Sequence, residues 1–408
     1  MAKDTRAPKT RIRAKTLLGA IKDVGAVVQA KTTVPILSHV LVSAGDGLLT
    51  LTGTDLDCQA VRECATDDRD GPNSREWLES IRPFAVCLPA KALQQLLGEL
   101  DGDAMVTIAA DDDVTATTAG RVTISAGRAR FKLCTLPTAD FPRLAVTAFD
   151  HGFEMKAEAL ADAFARVEHA ISTEETRYYL NGIYVHAEGN DLLMAATDGH
   201  RLAQLSIDAP VGAATFPNVI VGRVTVAVLD KLLAGAAKAE ETANVEIEAN
   251  EAGTMLSFRM PAADGGSIEL IAKAIDGSFP DYRRVIPSTT AQKLRVHRDT
   301  LAETVKRVGT LADAKSRVLK VEIERDLIRL TASTSGVGEA SEELACTHDG
   351  DGMTVGLDAR YWREALLAVG ADDVVIRFND PGAPLRIEAS SSAEDAPRLV
   401  QVVMPVRV

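Results

Sequence analysis

The stretch TDGHRLA at 197–203 sets His200 two residues after Asp198 and beside Arg201. An imidazole oriented by a carboxylate is the centre of many general acid–base and nucleophilic sites, and it also binds metals. Such a pair needs a third group. A nucleophile elbow of the GxSxG type or a metal motif of the HExxH type would supply one, and the chain contains neither. The acidic runs DDD at 111–113 and DGDG at 349–352 lack the ligand pattern of a calcium loop and read as solvated turns. Five cysteines, at 58, 64, 87, 134 and 346, form no CxxC, so reduced thiols are expected and a zinc site is not. No glycine-rich phosphate loop is present. The residues therefore call for no metal and no cofactor. A hydrolase built on His200 is the remotest reading, and a turn residue without a ligand is the plain alternative.

The elements that position this turn repeat along the 408-residue chain. TLLGAIKDVGAVV carries Leu17, Ile21, Val24 and Val28. ALADAFARVEHAI carries Leu160, Phe164, Val167 and Ile171. TLAETVKRVGTLA carries Leu301, Val305, Val308 and Ala312. Each has apolar residues at i, i+4, i+7 and i+11, one face of a helix. A second helical stretch recurs as LPAKALQQLLGEL from 88, VGRVTVAVLDKLL from 221 and LDARYWREALLAV from 357. Between the two helices of each unit lies a segment of alternating apolar residues around a turn, at 48–61, 191–207 and 327–344, which predicts a hairpin. TDGHR is the turn of the second.

The Phe-Pro pairs that begin at 141 and 279 close the first two units. They place boundaries near 147 and 289, giving domains 1–147, 148–289 and 290–408. The fold class expected is α+β: three similar domains, each with two helices and roughly eight strands. The interval between matching features is far longer than a solenoid repeat and reads as domain triplication. The polar segment 65–83 has no counterpart in the other units and reads as an exposed loop insertion. Residues 1–9 read as a disordered basic lead-in.

Formal net charge is -13, while residues 1–15 carry +5, leaving -18 on the rest. Taken as a sum, this argues against nucleic acid. Location changes the reading. Lys22, Arg166, Lys306 and Arg307 lie off the apolar stripe of the first helices, and Lys91, Arg223 and Arg360 near the start of the second ones. Basic residues at equivalent places in an acidic chain suit phosphate contacts without base reading. Aromatic residues are only 4% of the chain, too few for a stacking platform. No apolar run is long enough to cross a bilayer, and no signal peptide opens the chain, so a cytoplasmic protein without a membrane partner is expected.

TVPILSHVLV (33–42), LTGTDLD (51–57), RFKLCTLPTADFP (130–142), RYYLNG (177–182), ATDGHRLA (196–203), FPDYRRVIP (279–287) and VVMPVRV (402–408) occur in this order. From about residue 10 to the end, the chain resembles the bacterial sliding clamps, the beta subunits of DNA polymerase III. The resemblance implies a processivity factor without catalytic activity. Two three-domain protomers would close head to tail into a ring, helices would line the hole, and duplex DNA would thread it. Implied partners are the polymerase III catalytic subunit, the clamp loader, translesion polymerases, mismatch-repair proteins and ligase. A second clamp copy specialised for repair or drug resistance is the alternative within the family.

The same resemblance implies a pocket for partner peptides between domains 2 and 3. Its lining would be Leu180, Thr197, Gly199, His200, Arg201, Leu202, Pro280, Arg284, Val285, Val402, Met404, Pro405, Val406 and Arg407. His200 and Arg201 would frame the ligand and transfer no proton. Tyr178, Tyr179 and Lys31 would lie close to DNA, Lys31 standing where the family usually has Arg. Phe131 and Leu133 would meet Leu311 of a second copy in the dimer. Four features depart from the usual pattern: the MPVRV ending, the two prolines in NDPGAPLRI at 379–387, the 65–83 insertion and the basic N-terminal lead-in.

Overall fold

The computed structural model describes residues 7–29, 31–69, 77–78, 81–145, 148–239, 243–314, 316–390 and 398–407. The chain forms two compact units, 1–161 with 227–273, and 162–226 with 274–408.

The three first helices run over Ala14–Gly25, Ala157–Ala165 and Arg298–Val308; the three second ones over Ala90–Gly98, Arg223–Ala239 and Ala359–Ala368. The apolar stripes account for them. Leu17, Ile21 and Val24 are fully buried, as are Leu301 and Val305. Each such side chain contributes about 1.5–3 kcal/mol by leaving water. The last of the six is closed at its start by Asp358, whose carboxylate accepts from the backbone N–H of Arg360 at 2.8 Å and of Tyr361 at 3.1 Å. Where Ala14–Gly25 crosses the sheet beneath it, Gly53 allows the contact. A Cβ there would stand 2.6 Å from the carbonyl oxygen of Val24.

All three expected hairpins are present: Leu48–Thr54 with Cys58–Ala65, Asp191–Thr197 with Arg201–Asp208, and Leu327–Thr334 with Gly338–Ala345. Nine, eight and nine strands fall in the three repeats among the described residues.

Each unit holds two sheets. The first has a five-stranded sheet (Ile81–Arg82, Ala7–Arg13, Met105–Ala110, Arg121–Ala126, Ala129–Cys134) and an eight-stranded one. The second has a nine-stranded sheet and a four-stranded one ordered Gly338–Ala345, Leu327–Thr334, Val318–Ile323, Met353–Asp358. The large sheets do not respect the repeats. Cys58–Ala65, the return strand of the first hairpin, pairs antiparallel with Ser267–Lys273, the last strand of the second repeat. Arg201–Asp208, the return strand of the second hairpin, pairs in the same sense with Arg398–Val403, the last strand of the third. Two strands remain outside this scheme, each at the edge of its sheet: Ala129–Cys134, last of the first repeat, and Gly338–Ala345, return strand of the third hairpin.

Arg62 fastens the first of these junctions. Its side chain is fully buried. Its Nε donates to Asp23 at 3.2 Å, and Nη2 donates to Asp264 and to the carbonyl of Gly265 at 2.7 Å. At the second junction, His169 Nε2 lies 3.1 Å from Gln401 Oε1, and Gln401 in turn donates to the carbonyl of Arg166. Burial holds the His169 imidazole down at about pKa 4, with the Arg201 charge adding to the effect.

Two expectations at the chain start are corrected. Residues 7–9 are not disordered: they begin the strand Ala7–Arg13, and the Lys9 ammonium sits 4.2 Å above the Trp77 ring. The 65–83 segment is not wholly an exposed loop. Asp68 is buried, accepting from Thr10 Oγ1 at 2.6 Å, the Arg11 backbone N–H at 2.9 Å and Trp77 Nε1 at 2.8 Å. Ile81–Arg82 then pairs in parallel with the first strand. Residues 1–6, 70–76 and 79–80 lie outside the described residues.

Candidate functional site: the Thr197–Arg201 turn and its neighbours

The turn is built by its own polar side chains. Thr197 Oγ1 accepts from Gly199 N–H at 3.1 Å and donates to the Arg201 carbonyl at 2.6 Å. One Asp198 oxygen accepts from the backbone N–H of His200 at 2.9 Å and of Arg201 at 3.1 Å; the other takes Arg201 Nε at 3.1 Å. Asp198 thus commits both oxygens to the backbone and to Arg201, and no bond to the His200 ring is formed.

The first repeat carries the same network in its own hairpin turn. Thr54 Oγ1 accepts from Leu56 N–H at 3.1 Å and donates to the Cys58 carbonyl at 2.8 Å. Asp55 accepts from the N–H groups of Asp57 at 3.0 Å and Cys58 at 2.7 Å. Threonine and aspartate are therefore hairpin-turn residues in both places. The third turn position is left-handed in each, at φ +84° for Leu56 and +89° for Gly199. The third repeat has Gly336 there, at φ +78°; in the second, the Arg177 guanidinium occupies the space a Cβ on Gly199 would take, 2.8 Å away. What distinguishes the second turn is the Gly-His-Arg sequence that follows Thr-Asp, so His200 is not half of a catalytic pair.

Around the turn, the sequence-predicted pocket residues separate into two layers within one compact unit. Leu180, Thr197, Arg201, Leu202 and Val402 are buried, Leu202 and Val402 to 1% exposure. Leu202 and Val402 face each other across the strand pair and pack with Ala195 and Tyr282. Beneath them, Tyr184 and Phe279 stack at 4.9 Å, and the Tyr282 hydroxyl meets His186 Nε2 at 3.0 Å. Burial pushes the Tyr282 phenol up to about 12. The other layer is open: Gly199, His200, Pro280, Arg284 and Arg407 are exposed, and Pro405 is half-buried. Val285, Met404 and Val406 are exposed at 43%, 37% and 42%, a large share for apolar side chains. The Met404 N–H donates to the His200 carbonyl at 2.9 Å, which ties the chain end to the turn. The exposed apolar side chains make a rim beside a buried, aromatic-backed floor, with a thioether able to adapt its shape.

Arg201 does not stand free on that rim. It is 8% exposed, bonded to Asp198 and Glu364, with its guanidinium 4.4 Å over the Tyr361 ring. His200 lies on the same ring at 6.0 Å and 14°. Sequence reasoning missed Tyr361, Glu364 and Arg177. The first two sit in the next repeat, on the helix Ala359–Ala368, and no spacing rule connects them to the turn. Arg177 opens the quoted RYYLNG, but nothing there shows that it folds over Gly199.

The predicted cations also separate. Lys22, Lys31, Lys91 and Arg223 are exposed and make no ion pair with another described residue. Arg166 is held by Asp162 at 2.7 Å, Lys306 faces Glu303 at 3.6 Å, and Arg307 is gripped by both oxygens of Glu342 at 3.0 and 2.5 Å. Tyr178 is exposed and Tyr179 half-buried, their rings edge to face at 5.9 Å. Phe131 is exposed, and Leu133 and Leu311 are half-buried. Among the described residues there is no cluster of His, Cys, Asp and Glu able to hold a metal, and no helix long and apolar enough to cross a membrane.

A thrice-repeated α+β unit with an exposed apolar rim beside this turn has the character of a binding scaffold. Comparisons with known proteins make the class specific. The models for the N-terminal, central and C-terminal domains of the DNA polymerase III beta subunit match residues 9–145, 154–281 and 283–407. The beta sliding clamp of Caulobacter vibrioides is 34% identical over 406 residues, covering 98% of this chain and 100% of its own. That of Escherichia coli K12 is 29% identical over 402 residues, covering 98% and 100%. Among solved structures, the sliding clamp of Bartonella birtlesii bound to griselimycin has a TM-score of 0.86 at 32% identity, covering 99% of this chain and 100% of its own. The chain belongs to the DNA polymerase III beta subunit family, the bacterial beta sliding clamps, and is a non-catalytic processivity subunit.

Proposed function

We propose that two copies of the chain close head to tail around duplex DNA, slide without sequence preference, and dock partners through the groove at the Thr197–Arg201 turn. The observation that carries the ring is the strand scheme. A hairpin return strand takes the last strand of the following repeat twice within the chain, and one strand of each kind is left over. A second copy supplies the missing partner: Ala129–Cys134 of one protomer beside Gly338–Ala345 of the other. Charge supports the match, since Arg130 and Lys132 would lie along an edge that carries Glu339, Glu342 and Glu343, the last two already paired with Arg307 and Arg329. Phe131 and Leu133 would bury against Leu311. Domain boundaries near 147 and 289 fit three units of one kind per protomer.

DNA contacts fall to Lys22, Lys31, Lys91 and Arg223, whose ammonium and guanidinium groups are exposed, with Tyr178 and Tyr179 as further contacts. Arg166, Lys306 and Arg307 share their charge with carboxylates and contribute less each. Sparse, exposed cations leave the duplex free to move, and retention is topological. The groove takes the apolar side chains of a peptide on Val285, Met404, Pro405 and Val406, with Leu180, Leu202 and Val402 as floor, Thr197, Gly199 and His200 along the turn, and Pro280, Arg284 and Arg407 at the margin. Arg201 fixes the turn from beneath. The polymerase III catalytic subunit, the clamp loader, translesion polymerases, mismatch-repair proteins and ligase are the partners this reading expects, in the cytoplasm.

Loading onto nicked circular DNA with a bacterial clamp loader and ATP tests the ring. Protein should stay on circles at high salt and leave within minutes once half of them are linearised. Equal loss from circles and linear DNA, beside a control clamp that stays on circles, removes the proposal.

A further inference from the structure

A second feature adjoins the groove. Between the end of Arg298–Val308 and the start of Ala359–Ala368 lies an open cleft of about 430 Å³. Lys306, Arg317, Arg360 and Arg363 line it, against a single lining carboxylate, Glu364. That carboxylate is already bonded to Arg201. Glu303 reaches Lys306 and Arg363 only at 3.6 and 3.5 Å. Arg317 has no ion pair among the described residues, and the Nε of Arg363, buried, has no acceptor there. The cleft is thus rich in donors and short of acceptors, an arrangement that favours an anionic ligand.

The cleft shares a wall with the groove. Arg360 lies 4.6 Å from the Tyr361 ring, Arg201 lies 4.4 Å from it, and His200 stacks on it. The Val406 N–H donates to the Gly356 carbonyl at 2.9 Å, just ahead of the cleft residue Ala359. A peptide anchored on the groove rim by apolar side chains therefore has the cleft as a charged neighbour across the Tyr361 ring.

We propose that this cleft is an electrostatic extension of the peptide groove and selects partner segments that carry Asp or Glu beside their apolar anchor. The proposal rests on the groove reading above. Carboxylates suit the site because paired guanidinium groups, Arg360 and Arg363, can take both oxygens of one side chain.

The test uses fluorescein-labelled peptides with a shared leucine–phenylalanine anchor, extended at either end by four glutamates or four glutamines, titrated with the full chain at low and at 0.5 M salt. At low salt, one glutamate peptide should bind roughly tenfold tighter than its glutamine twin. The advantage should vanish at 0.5 M salt and in the R360Q/R363Q double variant, while the glutamine peptide keeps its affinity for that variant. Thermal unfolding of the variant, unchanged within a few degrees, checks that it is folded; R317Q, at an exposed position, should give a smaller loss of the same kind. Equal affinity of glutamate and glutamine peptides in both orders overturns the extension and leaves the groove standing. Binding of none of the four overturns the groove and the extension together. If the double variant leaves the peptides alone and instead weakens binding to a short DNA duplex, the cleft serves phosphate and the proposal fails.

Discussion

Two kinds of strand edge carry the same repeat scheme. At Cys58–Ala65 with Ser267–Lys273, and at Arg201–Asp208 with Arg398–Val403, the strands are paired and largely buried. At Ala129–Cys134 and Gly338–Ala345 they end their sheets, and most of their residues are exposed or half-buried. The difference follows composition. Three of the four paired strands bury Ile, Leu or Val and the fourth buries Cys58, Ala60, Arg62 and Cys64, while the open ones carry Arg130 and Lys132 on one and Glu339, Glu342 and Glu343 on the other. Charged edges of single sign resist pairing with themselves and accept their opposite. The internal junctions are held by burial, and the proposed external one by complementarity.

Four experiments would break or sharpen this contrast. Arg62→Ala removes the buried guanidinium at the first junction and leaves Asp23 and Asp264 facing each other. A loss of about 3 kcal/mol in urea unfolding is expected; an unchanged midpoint would mean that the sheet alone holds the junction. Phe131→Asp acts on the open edge. The protomer should keep its melting temperature while dimer affinity falls roughly a hundredfold, so that light scattering at micromolar concentration reads a monomer; a persistent dimer moves the interface elsewhere.

The second junction is pH-sensitive. The folded-state pKa of His169, about 4, lies below the ordinary histidine value, so the unfolded chain takes up the proton first as pH falls. The stability due to neutral His169 is complete above about pH 6.5 and is lost on the way down to about 4, by about 2 kcal/mol at pH 5. His169→Gln, which cannot titrate, should flatten that part of the melting curve against pH; identical slopes would clear His169 of the effect. The smallest change is Leu56→Gly, which relieves the left-handed turn of the first hairpin and should stabilise by about 0.5 kcal/mol. A destabilisation would show that the Leu56 side chain makes contacts its exposed position does not suggest.

The helices and hairpins were legible because a stripe such as Leu301, Val305 and Val308 announces its own period. The turn was legible as a motif, yet the duty of Asp198 was not. It emerges only when Asp55 is seen making the same backbone bonds in the first repeat. The junctions were hidden because strand pairing carries no signature across the long stretch of chain between Cys58 and Lys273. The groove floor was named through family likeness, while Tyr361 and Glu364 were out of reach, since a tyrosine on an amphipathic helix reads as core or surface with equal ease. Among the cations, position along the sequence could not separate Lys22, which is exposed and unpaired among the described residues, from Arg307, which Glu342 grips.

Both open strands belong to one chain, so a ring of two copies has two identical seams. Once the first has formed, the second pair of edges meets at an effective concentration of order millimolar, far above that of separate protomers in solution. Parting one seam then leaves the particle whole, with the other seam as its hinge. DNA can enter a ring without the two subunits ever separating, and the lifetime of the opened form is set by how fast one seam recloses, independent of how much protein is present.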